Sequence, residues 1–229
     1  MADDALTIEL AGEQLIVDAQ RALIWPAETT VFLADLHLGK SDIFRRAGIP
    51  IPEGSTTADL DRIELLVQRY GLKRVVLLGD FLHGRSFPKA AYTQAFAAWR
   101  RAREELEFTV IAGNHDRFDA FRSVNWNVTW QREGVSIGPF ICRHHPEPSR
   151  EGFVLAGHVH PVMFLYGSAR ERLRVPVLWI RDGHAVLPSF GSFTGGAEVS
   201  PAESESVYAF AADRVWRVSG KLAPKKPEQ

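Results

Sequence analysis

RVVLLGD, residues 74–80, carries four consecutive apolar residues between an arginine and a Gly-Asp pair. A run without alternation reads as a strand buried on both faces. What flanks it decides the fold. Upstream, Ser55–Tyr70 places Leu60, Ile63, Leu66, Val67 and Tyr70 at helical spacing, with Ser and Thr residues offering an N-cap and Gly71 a stop. Downstream, residues 88–106 read as a second helix, with Pro88 in its first turn and Tyr92, Phe96 and Trp99 along one face. Beyond these helices lie two more runs of the same kind, VFLA at 31–34 and FTVIA at 108–112. Strand, helix, strand, helix, strand predicts a parallel sheet with crossover helices.

The rest of the chain is β-like. LTIEL, QLIV and ALIW precede the parallel core, with Gly12-Glu13 as a turn between the first two. NVTW, FICRHH, FVLAGHVH, PVLWIRD, AVLPSF, VYAFAA and RVWRV follow it. No internal repeat or interdomain linker interrupts them. The expectation is an α/β fold of two packed mixed β-sheets flanked by helices, forming a single domain over residues 1–220. The polar, basic, Pro-rich residues 221–229 read as a disordered tail.

Bulk properties narrow the function. At 229 residues the chain is long enough for one sizeable core. A net charge of −1 supplies no global basic field, so attraction to a polyanion must come from a local patch or a bound metal. The single cysteine, Cys142, excludes an intrachain disulfide framework and a multi-cysteine zinc site. The acidic start MADDALTIEL lacks the basic and apolar regions of a signal peptide, and no apolar stretch approaches bilayer-spanning length. Cytoplasmic location without membrane attachment is the expectation.

The polar residues that end the apolar runs carry the chemistry. Ligands bind at the carboxyl ends of parallel strands in open α/β sheets. Those ends offer Asp35 and His37, then Asp80, then Asn114 and His115. Later β-like runs end in His144 or His145, and in His158 and His160. If these segments are extended, positions two apart share a face, which aligns Asp35 with His37 and His158 with His160. The donors are two carboxylates, one amide oxygen and four imidazoles, a set suited to Mn2+, Fe2+ or Zn2+. A single ion rarely needs so many protein ligands. A pair of ions sharing one carboxylate would use them all, and such pairs serve phosphoryl chemistry by clamping the attacking and leaving oxygens.

DLH, GD, GNHD, HHP and GHVH, in this order, resemble the calcineurin-like metallophosphoesterases from about Val31 to Pro161. DLHLGKSDIFRRAGIPIPEG, the late LPSFGSFTGG and the small size further resemble the bacterial ligase-associated DNA damage response endonucleases of that superfamily. The resemblance implies an αββα sandwich, two divalent ions, most often Mn2+, and DNA, single-stranded or looped, as substrate. It also implies association with an ATP-dependent DNA ligase, a nuclease and a helicase in DNA repair.

Carried over residue by residue, the resemblance makes Asp35, His37 and His160 ligands of a first metal. Asn114, His144 and His158 become ligands of a second, and Asp80 bridges the two. His115 becomes the group that protonates the leaving oxygen, and Asp116 the carboxylate that orients its imidazole. His145 is expected to point away from its neighbour and to ligate nothing.

Substrate-binding candidates are His83, Lys40 and Arg46, joined on the same reasoning by Arg45 and Arg85. The plainer reading of these charges is a solvated helix face. Phe44 and Phe193 are candidates for stacking on a base, and the plainer reading of Phe193 is core filler. His184 has no motif around it and reads as structural or exposed. Two other functions compete. One keeps the chemistry on a small phosphodiester or pyrophosphate, such as a cyclic nucleotide or nucleotide sugar; ADLHL also resembles the start of UDP-diacylglucosamine hydrolases. The other is a non-catalytic scaffold.

Overall fold

The computed structural model describes residues 3–46, 48, 50, 55–83, 90–116, 126–132, 134–166, 172–192 and 194–218, and for Arg46 and Ser55 the backbone alone. Arg85, Pro88, Phe193 and the tail 221–229 therefore lie outside the described residues.

Seven strands form the first sheet, in chain order: β1 (Ala5–Leu10), β2 (Glu13–Asp18), β3 (Ala22–Trp25), β4 (Thr30–Leu33), β5 (Arg74–Leu78), β6 (Glu107–Ile111) and β7 (Thr129–Gln131). The first four are joined antiparallel. From β4 onward the pairing is parallel, with Leu33 opposite Leu77 and Leu78 opposite Ile111. The crossovers contain α2 (Ser55–Tyr70) and α3 (Ala91–Arg101), and a short α1 (Lys40–Arg46) follows β4.

The unalternating apolar runs now have their reason. Val31, Leu33, Val75, Leu77, Phe108 and Val110 face one way, into a core shared with Leu60, Ile63 and Leu66 of α2 and Tyr92 and Phe96 of α3. Phe32, Ala34, Val76, Leu78 and Ile111 face the other way, onto the second sheet. Both faces of β4 to β6 are buried, so their central positions are apolar apart from Thr109, and the other polar residues, Thr30, Arg74 and Glu107, stand at the strand starts.

The expected second helix ends earlier than residue 106. The fully buried Arg100 donates to the carbonyls of Arg103, Leu106 and Asn127 at 2.8–3.0 Å, which folds the chain back into β6. A side chain that satisfies carbonyls past a helix end substitutes for the next helical turn.

The second sheet comprises β8 (Val135–Ile137), β9 (Phe140–Cys142), β10 (Phe153–Ala156), β12 (Arg172–Arg181), β13 (His184–Val186), β14 (Ser206–Ala211) and β15 (Arg214–Arg217), with β11 (Val162–Tyr166) paired to β12. β10 lies parallel to both β9 and β13, so β9 and β10 deliver the residues after them to the same edge. β8 and β11 were not expected from the sequence, and α1 carries Lys40, Arg45 and Arg46, whose plainer reading was a helix face. The segment after β13 stitches the sheets together: Leu187 N–H donates to Ala156 O, Phe190 N–H to Ala34 O, and Ser189 Oγ–H to Asp35 O, at 2.7–2.8 Å.

Phe81 shows how core and site are joined. It follows Asp80 directly, is fully buried, and packs edge-on to Phe96 at 4.9 Å and to Trp126 at 5.7 Å. Phe81→Ala is expected to cost about 3–5 kcal/mol of stability, read from denaturant unfolding. Its neighbour Asp80 should lose its fixed position, so metal affinity should fall together with stability. Unchanged affinity in the folded variant would show that Asp80 is held without this plug.

Candidate metal centre

Residues just past Leu33, Leu78 and Ile111 emerge on one edge of the first sheet, and those past Cys142 and Ala156 on one edge of the second. Asp35, His37, Asp80, His158 and His160 all adopt left-handed backbone, with φ of 52°, 49°, 42°, 70° and 48°. That conformation costs a non-glycine residue on the order of 1–2 kcal/mol. Strain concentrated in one cluster marks positions where side-chain direction outweighs backbone comfort. It also corrects the argument from extended geometry. Asp35 and His37, and His158 and His160, converge because their segments have left the strands and turn, not because the segments alternate.

Two groups of donors result. Asp35, His37, Asp80 and His160 present ligand atoms that lie within 4.8 Å of one another. His37 Nε2 is 3.3 Å from His160 Nε2, which is 3.4 Å from Asp35 Oδ2. His144, His145 and His158 form the second group. His144 Nε2 lies 2.9 Å from Asn114 Oδ1 and 3.0 Å from His158 Nδ1. Asp80 Oδ2 stands between the groups, 3.8 Å from His37 Nε2 and 3.7 Å from His144 Nε2.

His145 does not point away as expected. Its ring centroid is 4.8 Å from that of His144 and 4.2 Å from that of His158, because the chain after Cys142 is no longer a strand.

The donors fit divalent cations. Burial pushes the His37 imidazole down to about 2 and the His144 imidazole to about 4, so both present unprotonated nitrogens, the form that binds metal. Their short distances to carboxylates are therefore not ion pairs. Burial likewise raises the fully buried Asp35 carboxyl to about 6, and its Oδ1 has no hydrogen-bond partner among the described residues. The Leu78 carbonyl, 3.3 Å from His144 Nδ1, can only accept, which favours the tautomer whose Nδ1–H donates to it and whose Nε2 lone pair faces the Asn114 oxygen. Lone pairs and carboxylates that converge without protons between them need a cation.

Glycine permits this density. Gly79 has φ of 89°, and a Cβ there would strike the His144 ring; a Cβ at Gly113 would strike Asp80. The glycines of GD and GNHD thus make room for a ligand held by another segment.

The calcineurin-like phosphoesterase profile matches residues 29–214. The chain belongs to that family. It is a metal-dependent phosphoester hydrolase, and its divalent metals have their candidate ligands in the two clusters. Among solved structures, the Pseudomonas putida nuclease MPE is similar at 36% identity, covering 93% of this chain and 100% of that one, with a TM-score of 0.79. The E. coli phosphoesterase Yfce is similar at 15% identity, covering 85% of this chain and 99% of that one, with a TM-score of 0.44. No curated protein matches.

In this calcineurin-like phosphoesterase the remaining candidates fall into place unequally. His115 is exposed at the mouth of the cluster, with its backbone N–H held by Asp80 Oδ1 at 2.9 Å and its ring 5.4 Å from that of His37. His83 stacks on His115 at 5.1 Å, and its Nδ1 is 3.4 Å from His37 Nδ1. It therefore meets the nitrogen of His37 that faces away from the donor cluster, a contact that fixes ring orientation in metal-binding histidines. Half-buried Lys40 lies in the first turn of α1, its Nζ 5.9 Å from the Phe44 ring, and burial lowers its pKa. Arg45 pairs with Asp42, so it is not a free phosphate contact. The Arg46 side chain lies outside the description. His184 is buried and turned to the Asp182 carbonyl.

Asp116 requires correction. Its carboxylate does not orient His115. Oδ2 accepts the N–H of Gly113 and of Phe81, and Oδ1 that of Leu82, at 2.9–3.1 Å. It clamps the GNHD turn to the segment after Asp80. The sequence could not show this, because two of the N–H donors lie more than thirty residues away in the chain. Asp116→Ala leaves three N–H groups without their acceptor and is expected to cost about 3 kcal/mol. Unfolding should shift accordingly, while the pH profile of the folded variant keeps its shape. A displaced profile would restore Asp116 as the partner of His115.

Proposed function

We propose that the protein is a Mn2+-dependent phosphodiesterase that cleaves DNA internally, acting on single-stranded or looped DNA in repair. The observation that carries the phosphodiester reading is the position of the Asp80 carboxylate between two donor clusters, with the His115 ring exposed at their mouth. Nucleic acid as substrate is supported by the 36% identity to a nuclease across its whole length. Repair, and association with an ATP-dependent ligase, a nuclease and a helicase, rest on the resemblance of DLHLGKSDIFRRAGIPIPEG and LPSFGSFTGG.

Asp35, His37, Asp80 and His160 would hold one ion, and Asn114, His144, His158 and Asp80 the other, with His145 beside them. When bound, the pair lowers the pKa of water and offsets charge on the phosphoryl oxygens. The chain supplies the rest. Asp80 fixes both clusters and, through Oδ1, the backbone of His115. The exposed His115 imidazole delivers a proton to the departing oxygen. His83 stacks against it and limits its rotation.

The test is cleavage of a circular single-stranded DNA by metal-free protein with Mn2+ added back, and Asp80→Ala from the same preparation as contamination control. Linear product from the wild type alone supports internal cleavage. An intact circle beside rapid hydrolysis of an aryl phosphodiester moves the substrate to a small diester.

A further inference from the structure

A cavity of about 210 Å3 opens beside His160 and is lined also by Arg21, Arg174, Ser189 and Thr194. It shares Arg21 and Arg174 with a cleft of about 340 Å3 that continues past Arg62. None of the sequence motifs includes Arg21 or Arg174.

Arg21 has unusual features. It occupies the turn between β2 and β3 at φ of 64°, a left-handed position that glycine or asparagine fills at lower cost. Its guanidinium is largely buried, and burial followed by repulsion from Arg62 lowers it to about 10. Arg62 has a carboxylate partner in Asp59 at 3.2 Å and lies over the Phe190 ring at 4.0 Å. Arg21 has none: it donates to the Ser189 carbonyl at 3.1 Å and makes no ion pair among the described residues. Arg174 is exposed, likewise without an ion pair among the described residues, and its guanidinium lies against Gly196. Asp213 lines the larger cleft and not the cavity beside His160. The cavity beside His160 thus carries the charge of Arg21 and Arg174 with no carboxylate among its described lining residues. A buried cation left unpaired is costly unless a ligand completes it.

We propose that Arg21 and Arg174 form a second phosphate subsite, which binds the phosphate adjoining the one held at the metal centre. This rests on the phosphodiester reading of the centre, though not on DNA being the natural substrate. The ligand class is a chain or nucleotide with two phosphates separated by one sugar. Two guanidiniums suit it, because they hydrogen-bond phosphate oxygens in pairs and stay charged at any working pH.

The test is equilibrium binding, by calorimetry on the Mn2+-loaded protein, of thymidine 5′-phosphate, thymidine 3′-phosphate and thymidine 3′,5′-bisphosphate. The wild type should bind the bisphosphate about tenfold or more tighter than either monophosphate, since each charge-assisted contact is worth roughly that factor. Arg21→Gly and Arg174→Ala should each remove most of the advantage and leave monophosphate binding unchanged. Glycine is at ease at the left-handed turn, so Arg21→Gly keeps its thermal midpoint, and Arg174→Ala alters an exposed residue.

Equal affinities for bisphosphate and monophosphates in the wild type would overturn the subsite. So would an advantage that survives both substitutions. The result is separable from the DNA reading. Circular DNA left intact with the bisphosphate advantage present removes the nuclease and keeps the subsite. Cleaved DNA with no advantage does the reverse.

Discussion

Asp80→Ala should abolish turnover and empty at least one of the two metal positions. Oδ2 faces His37 and His144 at 3.8 and 3.7 Å, so its loss removes negative charge from both clusters at once. The candidate ligands that remain for the second ion are neutral: burial holds the His144 imidazole unprotonated, Asn114 supplies an uncharged oxygen, and the nearest carboxylate, Asp35, faces His144 Nδ1 rather than Nε2. A divalent cation at that second cluster would have no carboxylate. Loss of several kcal/mol of charge stabilisation corresponds to a fall in kcat/KM of about 10^3-fold or more. Metal analysis should show fewer ions per chain than in the wild type.

Asp80 also accepts the His115 N–H, so alanine disturbs the GNHD turn as well. Asp80→Asn separates the two effects. The amide oxygen can still hold that N–H, and the thermal midpoint should stay near that of the wild type, while the charge between the clusters is gone. An Asn variant that keeps both metals and turns over within tenfold of the wild type would show that a carboxylate between the clusters is not essential.

The parallel half of the fold was legible because burial on both faces selects apolar runs, and Ser55–Tyr70, like the antiparallel strand ALIW, has in the structure the bounds read from the pattern. The candidate donors were legible for a related reason. Each candidate ligand follows an apolar run, and a polar residue at that place has few structural uses. The physical route was not legible. Extended alternation would have brought Asp35 beside His37, yet both residues arrive through left-handed turns that no periodicity reveals. β8 and β11 were missed because VSI is too short to show a period and VMFLY shows no alternation. Asp116 was misread because its nearest sequence neighbour of interest is His115, whereas its partners Phe81 and Leu82 become neighbours only once β5 and β6 pair. Arg21 left no trace at all. It stands in a hairpin turn between β2 and β3, and its worth comes from Ser189 and His160, which are brought in by the other sheet.

His115→Ala should keep both metals and lose about 10^2–10^4 in turnover of DNA, the range expected when a positioned proton donor is removed. The structure makes this variant informative because the turn does not depend on the ring. Asp116 holds the Gly113, Phe81 and Leu82 backbone, and Asp80 holds the backbone N–H of residue 115, which alanine retains. The ring is partly exposed, with 44% of the side chain accessible, so its removal opens no core cavity. Stability should therefore change little, and a loss of activity reports chemistry.

The leaving group then separates the possible roles of the ring. An alkoxide departing from deoxyribose needs a proton, while 4-nitrophenolate departs without one. Turnover of bis(4-nitrophenyl) phosphate should fall far less than DNA cleavage if His115 delivers that proton. Equal losses on both substrates would assign the ring to stabilising the phosphoryl group, where the leaving group makes no difference. His83 offers an internal control, since it stacks on His115 and touches His37 Nδ1 but does not join either donor cluster. His83→Ala should lower both activities together, by loosening two rings without removing the proton donor.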